Sequence, residues 1–202
     1  MKDLFLLLQK PADLPAGLHD YLTKNVGTKI VNKREQLLKI GDKCDKVFFI
    51  EKGLLRGFEK IKGQDNSIWF MKEGDLMFAV SSFYTQEPSQ EGIEAIEDSI
   101  LHYLNFDQLE WVYKTYPHFN FNGRKLTEKY YLRTWPDMQR LRLKTSIDRY
   151  RHFQKFNPGM EKRIPGIYLS SFLGISERTF YRTVNSVGKE KEKESKKGNG
   201  KK

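Results

Sequence analysis

From about Lys29 to Asn105 the apolar residues of this chain come in short runs, TKIV, EQLLKI, KVFFIEKG, LLRGFEKI, SIWFM, GDLMFAV, IEAI and SILHYL, rich in β-branched and aromatic side chains. Turn signals separate the runs at Gly41-Asp42, Lys52-Gly53, Gly63-Gln64-Asp65-Asn66 and Gly74-Asp75. Many short strands at that spacing predict a β-sandwich or barrel, with the glycines setting its corners. The residues before the first run read as a helical lead-in broken by Pro11 and Pro15.

From Phe106 the period becomes that of a helix. FDQLEWVYKTY forms a short one stopped at Pro117, and Phe119, Leu126, Tyr130, Trp135, Met138 and Leu141 then mark a long one over 117–143. Its stripe either packs on its own domain or pairs with a second copy as a coiled-coil-like seam. Pro136 falls inside it, where a proline removes a hydrogen bond and kinks or breaks the helix. Ile147, Tyr150 and Phe153 define one more amphipathic helix, ending at Asn157-Pro158-Gly159.

Ile164 to Asn185, IPGIYLSSFLGISERTFYRTVN, reads as two short helices joined by a glycine turn. Leu169, Phe172 and Leu173 form one buried face. Gly174 supplies the left-handed backbone of a sharp stop. Ile175 plugs the corner, and Ser176 caps a second helix by accepting from a free N–H one turn on. Phe180 and Val184 face inward, which leaves Glu177, Arg178, Tyr181 and Arg182 pointing outward. The pattern is that of a helix-turn-helix, whose second helix enters the DNA major groove. On spacing alone, ordinary helical packing fits as well.

Charge favours the first of these. Residues 139–202 hold 17 Lys+Arg and 6 Asp+Glu, net +11, against 19 and 20, net −1, in residues 1–138. Without the terminal KEKEKESKKGNGKK, residues 139–188 still hold 10 basic and 3 acidic residues. A basic C-terminal third suits a polyanionic partner. A lone cysteine, Cys44, rules out an internal disulfide and cannot supply a zinc or iron–sulfur cluster, so no metal or cofactor is expected. No run approaches the roughly 20 apolar residues of a membrane span. A cytoplasmic protein that engages no membrane is expected.

With strands, a long helix and a C-terminal helix-turn-helix in that order, the chain resembles the Crp/Fnr family of bacterial transcription regulators over nearly its whole length. The resemblance rests on GDKCDKVFFIEKGLLRGF, Gly74-Asp75 and IEAIEDSILHYLNFDQLEWVYKTYP in the first part. In the second it rests on SIDRYRHFQKFNP and RIPGIYLSSFLGISERTFYR, which look like the shorter DNA-binding domain common in the Bacteroidetes branch. It implies an α+β protein with four parts. These are a jelly-roll-like double-stranded β-roll over 1–116, a dimerisation helix over 117–143, a helix-turn-helix domain of winged-helix type over 144–188 and a disordered basic tail over 189–202, with the domain boundary between Met138 and Lys144. The implied partners are double-stranded DNA, a second copy of the chain, RNA polymerase and an unidentified small-molecule effector.

By the same resemblance Ser176, Arg178, Thr179 and Arg182 stand where family members touch DNA, with Tyr181 on the same face. Arg178 or Arg182 suits bidentate contact with guanine, and Ser176 and Thr179 suit phosphate. Glu177 departs from the basic or small residue often found there. It either accepts from a cytosine amine or favours the helix N-terminus electrostatically. The effector site departs further. Cyclic-nucleotide-binding members carry Gly-Glu and, about ten residues on, Arg-Ser or Arg-Thr-Ala, whose arginine pairs with the phosphate. Counting from Gly74-Asp75, those places hold Phe78-Ala79 and Ser89-Gln90-Glu91. The balancing charge is missing, so cyclic AMP is not the expected effector.

The resulting expectation is a palindrome-binding homodimeric regulator that acts through helix 176–185 and is not an enzyme. The alternative is a small-ligand or cyclic-nucleotide sensor whose DNA binding is secondary, with Ser81, Ser82, Tyr84 and Gln90 lining its pocket. A cupin-like enzyme needs clustered histidines, and His19, His102, His118 and His152 are scattered singly.

Overall fold

The structure is a computed structural model that describes the backbone of residues 1–199 and the side chains of residues 1–190. It divides into two compact units, Met1–Leu132 and Arg133–Lys202.

The first unit is built on eight strands: β1 (Gly27–Val31), β2 (Gln36–Leu38), β3 (Lys46–Lys52), β4 (Leu54–Ile61), β5 (Gln64–Lys72), β6 (Leu76–Met77), β7 (Glu91–Ala95) and β8 (Ser99–Asn105). They form two antiparallel four-stranded sheets, ordered β1-β8-β3-β6 and β2-β7-β4-β5. This is a jelly-roll-like core. Val31, Ile50, Leu55, Ile93 and Leu101 are fully buried within it, because side chains that alternate along each strand meet across the two sheets. Gly53 links β3 to β4 at φ 113°, and a Cβ there would lie 2.0 Å from the Ser99 hydroxyl, so no other residue fits that corner.

The GDLMFAV run does not continue as a strand. β6 ends at Met77, and α3 (Val80–Thr85) follows. Its first helical bond runs from the Phe83 N–H to the Ala79 carbonyl at 2.8 Å, and Phe83 itself is buried.

Helices α1 (Lys2–Gln9), α2 (Leu18–Asn25) and α4 (Phe106–Thr115) pack with the start of α5 (Phe119–Leu141) over Phe49 of β3. Asn105 and Gln108 cap α4 reciprocally. The predicted stripe on α5 divides between two environments. Phe119 and Leu126 join this core, and the Tyr130 hydroxyl accepts the Leu76 N–H at 2.6 Å, whereas Trp135, Met138 and Leu141 are exposed, as are Tyr131 and Leu132. Pro136 lies inside a helix that runs on to Leu141, and the two units divide between Leu132 and Arg133 within that helix, ahead of the 138–144 interval expected from sequence. Contacts made by Arg140, described below, group the end of α5 with the residues that follow.

The second unit holds α6 (Ser146–Phe156), a 3-10 turn over Met160–Lys162, α7 (Gly166–Leu173) and α8 (Glu177–Asn199). Among the described residues it contains no strand, so the winged element expected by resemblance is not found there. The α8 backbone continues through most of the segment expected to be disordered, in keeping with the helix propensity of Glu and Lys. The tail residues 200–202 lie outside the described residues.

Candidate functional site

Local signals shape the junction of α7 and α8 much as the sequence predicts. Gly174 takes φ 65° and ψ 39°, and its N–H and that of Ile175 bond back to Ser171 and Ser170 at 3.0 and 3.1 Å. The Ser176 hydroxyl accepts the Thr179 N–H at 3.2 Å and lies 2.9 Å from the Thr179 hydroxyl. The two residues expected on phosphate are thus bonded to each other, with Ser176 as the cap. Phe180, Thr183 and Val187 form the buried face of α8, with Val184 half-buried beside them. Phe180 meets Tyr150 edge-on at 5.8 Å, and the Thr183 hydroxyl bonds that of Ser146 at 2.8 Å.

Glu177, Arg178, Tyr181 and Arg182 are exposed. Spacings of three and four residues put Arg178, Tyr181 and Arg182 on one face, and Glu177 stands four residues before Tyr181. A Cβ on Gly166 would lie 2.6 Å from the Tyr181 hydroxyl, so that ring lies across the first turn of α7. The unit that carries this face holds 18 Lys+Arg and 7 Asp+Glu, net +11, whereas the first unit holds 18 and 19, net −1.

Sequence reasoning missed two arginines behind the turn. Arg140 of α5 is buried and donates to the Phe172 carbonyl, and Arg149 of α6 donates to the Leu173 and Gly174 carbonyls at 3.1 and 3.3 Å. Their basic character was visible in the sequence, but the carbonyls they serve are 32 and about 25 residues away.

The predicted effector residues lie together around α3 and the start of β7, and the two buried serines among them, Ser82 and Ser89, are already engaged. Ser82 accepts the Cys44 N–H at 2.9 Å and donates to the Glu87 carbonyl, while the buried thiol of Cys44 receives the Ala79 N–H at 3.4 Å. Burial pushes the Cys44 thiol up in pKa, which keeps it a protonated, packed group. Ser89 is buried and bonds both the carbonyl and the N–H of Glu91, at 2.7 and 3.2 Å. Phe78 packs on Phe83 at 4.9 Å, whereas Ser81, Tyr84 and Gln90 face solvent.

By the resemblance the place of the phosphate-binding arginine is Ser89, and an acid, Glu91, stands two residues further on. The Glu91 carboxylate accepts the Trp69 indole N–H at 2.8 Å and bonds the backbone of Val80, where α3 begins. Burial raises its pKa, and the negative charge of Glu59 adds to the shift. A phosphate brought within about 4 Å of that carboxylate would meet about 4 kcal/mol of repulsion at an effective dielectric constant of 20. Arg56, buried in β4, is no substitute, since it pairs with Glu94 of β7 at 2.9 Å. Among the described residues no group of three His, Cys, Asp or Glu side chains is placed to hold a metal, and no helix is long and apolar enough to cross a membrane.

The roll is similar to that of known proteins. Residues 28–116 match the family "Cyclic nucleotide-binding domain". Solved structures of Crp/Fnr-type regulators share the fold. One is assigned to transcriptional regulators of the Crp/Fnr family and comes from Eubacterium rectale, with TM-score 0.70 and 15% identity over 88% of this chain and 85% of that one. FixK2 from Bradyrhizobium japonicum gives TM-score 0.69 and 15% identity over 82% and 85%. A CooA variant from Carboxydothermus hydrogenoformans gives 0.66 and 15% over 84% and 79%. At such identity the likeness establishes the fold. No curated protein sequence matches the chain.

Proposed function

We propose that the protein is a homodimeric, sequence-specific DNA-binding transcription regulator of the Crp/Fnr type, in which α7 and α8 form a helix-turn-helix and the roll does not answer to cyclic AMP. The observation that carries this reading is the capped Gly174–Ser176 turn, which presents Arg178, Tyr181, Arg182 and Glu177 on one exposed face of a strongly basic unit. In this reading Arg178 or Arg182 reads guanine edges, and Ser176 and Thr179 bind phosphate with whatever hydroxyl capacity the cap leaves. The exposed stripe of Tyr131, Leu132, Trp135, Met138 and Leu141 supports pairing of α5 with its counterpart in a second copy. Two copies would read a palindrome, and RNA polymerase would be the downstream partner. The α7–α8 sequence supports placement in the Bacteroidetes branch.

Selection of bound sequences from a random duplex pool at about 150 mM salt, where non-specific binding is weakened, tests the reading. Enrichment of a palindrome is expected, and Arg182→Ala should weaken binding to it by about 1–3 kcal/mol. An equal loss on random DNA would demote Arg182 to a backbone contact. A pool without enrichment would remove the main claim.

A further inference from the structure

Arg140 is 4% exposed, yet it carries a full charge at the very end of α5. Its guanidinium lies over the Phe172 ring at 3.9 Å and donates to the Phe172 carbonyl, and its Nε lies 3.6 Å from the Asp137 carboxylate one turn earlier. Arg149 takes the next two carbonyls, Leu173 and Gly174, and its Nε donates to Leu143, in the connector just after α5, at 2.9 Å. Two arginines from two elements therefore hold the C-terminal end of α7, and both lead back to the end of α5.

The turn does not need this for its own sake. Gly174 and Ile175 already serve the Ser170 and Ser171 carbonyls, and water can serve the last ones. Burying a guanidinium is expensive, and an apolar side chain of similar volume often stabilises a core as well. What a planar, multiply bonded guanidinium adds is fixed geometry, because its donors accept few orientations of the carbonyl and the ring it holds. One turn before this cluster, Pro136 has no N–H to offer the Leu132 carbonyl, so the helix is weakened just upstream. The segment from Pro136 to Leu141 is thus fastened to α7 at its far end and interrupted at its near end.

We propose that Arg140 is a positioning residue that sets the orientation of the α7–α8 pair on the last turns of α5, and through it the distance between the two reading helices of a dimer. The proposal rests on the DNA-binding reading above. Half-sites one helical turn apart are about 34 Å from centre to centre, and a single base pair changes that distance by about 3.4 Å. A slack joint at Phe172 therefore alters which operators are accepted, with no change in any residue that touches a base.

The experiment compares full-length wild type, Arg140→Met and Arg140→Lys on a set of palindromes. Their central spacer runs from two base pairs shorter to two longer than the wild-type optimum, and circular dichroism melts are recorded alongside. Arg140→Met keeps apolar bulk but loses the clamp, whereas Arg140→Lys keeps the charge but loses the fork. Expected is a loss of at least 10-fold at the optimal spacing for Arg140→Met. Its preference for the optimum over a one-base-pair shift should fall at least 3-fold, with Arg140→Lys in between. Uniform weakening with the spacing profile intact in both variants would overturn the proposal and leave Arg140 a purely structural residue. If Arg140→Met does not fold, the Arg140→Lys profile decides in the same way. A wild type that enriches no duplex would instead overturn the regulator reading and take the positioning role with it.

Discussion

Gly57→Ala tests the packing of the roll around Trp69 most directly. Gly57 faces Trp69 across β4 and β5, and a Cβ there would sit 2.0 Å from Cε2 and 2.2 Å from Cζ2 of the indole. The ring is restrained, because its Nε1 is held 2.8 Å from the Glu91 carboxylate and the partly buried side chain packs against the core between the sheets. Adding the methyl should therefore break the Trp69–Glu91 bond, a loss of about 1.5–3 kcal/mol for a hydrogen bond to a charged group. Overpacking adds about 1–3 kcal/mol. Restriction of the unfolded chain returns about 0.4–1 kcal/mol. The net expectation is a loss of roughly 2–5 kcal/mol on these terms, a large share of the stability of a typical domain but not all of it. Urea unfolding followed by tryptophan fluorescence reads it. In a Glu91→Gln background, where the acceptor is neutral, the cost of Gly57→Ala should fall by about 1 kcal/mol. A cost below about 0.5 kcal/mol in the wild-type background would refute the reasoning, since the indole would then have room the geometry denies it.

Two further outcomes follow from the same side chains. Cyclic AMP at 1 mM should move the melting temperature by less than about 1 °C. A dissociation constant of about 10 μM would instead give about 2.7 kcal/mol of stabilisation and a shift of several degrees, which would overturn the reading of Glu91. Burial, and after it the charge of Arg140, lowers the pKa of His152, with Asp137 opposing and Lys155 adding to the effect. A histidine whose pKa is lowered by folding is protonated more readily in the unfolded chain, so its contribution is present at neutral pH and is lost as pH falls below about 6.5. Burial raises the pKa of Asp137, which acts in the other sense, because protonation of that carboxyl at low pH favours the fold. Melting at pH 7.5 and 5.5 should therefore show a drop that His152→Gln reduces, and equal drops in the two proteins would remove His152 from the account.

What was legible in the sequence was what is encoded locally. Gly174, Ser176 and the spacing of Phe172, Leu173 and Phe180 specify a stop, a cap and two apolar faces within a dozen residues, and the structure assembles them as two helices across that turn. The eight apolar runs correspond to eight strands, but the pairing of β1 with β8 and of β2 with β7 joins segments more than fifty residues apart, which no periodicity announces. The GDLMFAV run misled for a related reason. An apolar run fits a strand or a buried helix equally well, and packing around Phe83 settles it. The stripe on α5 could not reveal that Phe119 and Leu126 are buried with side chains of α1 and α2 while Trp135 is exposed. Arg140 and Arg149 enter the sequence only as basic charge, because the α7 carbonyls they serve lie 32 and 24 residues away.

The same distinction bears on regulation. A ligand shifts a conformational equilibrium only through contacts it makes better in one state than in the other. Around α3 the Ser82 and Ser89 hydroxyls, the Cys44 N–H, the Trp69 indole and the Glu91 carboxylate are already bonded to one another or to nearby backbone. An anion entering there would have to displace Glu91 from Trp69 and then bear the repulsion of the carboxylate it displaced. Neutralising Glu91 and adding a cation at the first position of the Ser89-Gln90-Glu91 stretch removes both obstacles. The double variant Ser89→Arg/Glu91→Ala is therefore expected to gain a melting shift with cyclic AMP that neither single variant shows, because the single changes leave either the repulsion or the missing cation in place. A double variant that folds and still shows no shift would refute charge as the obstacle.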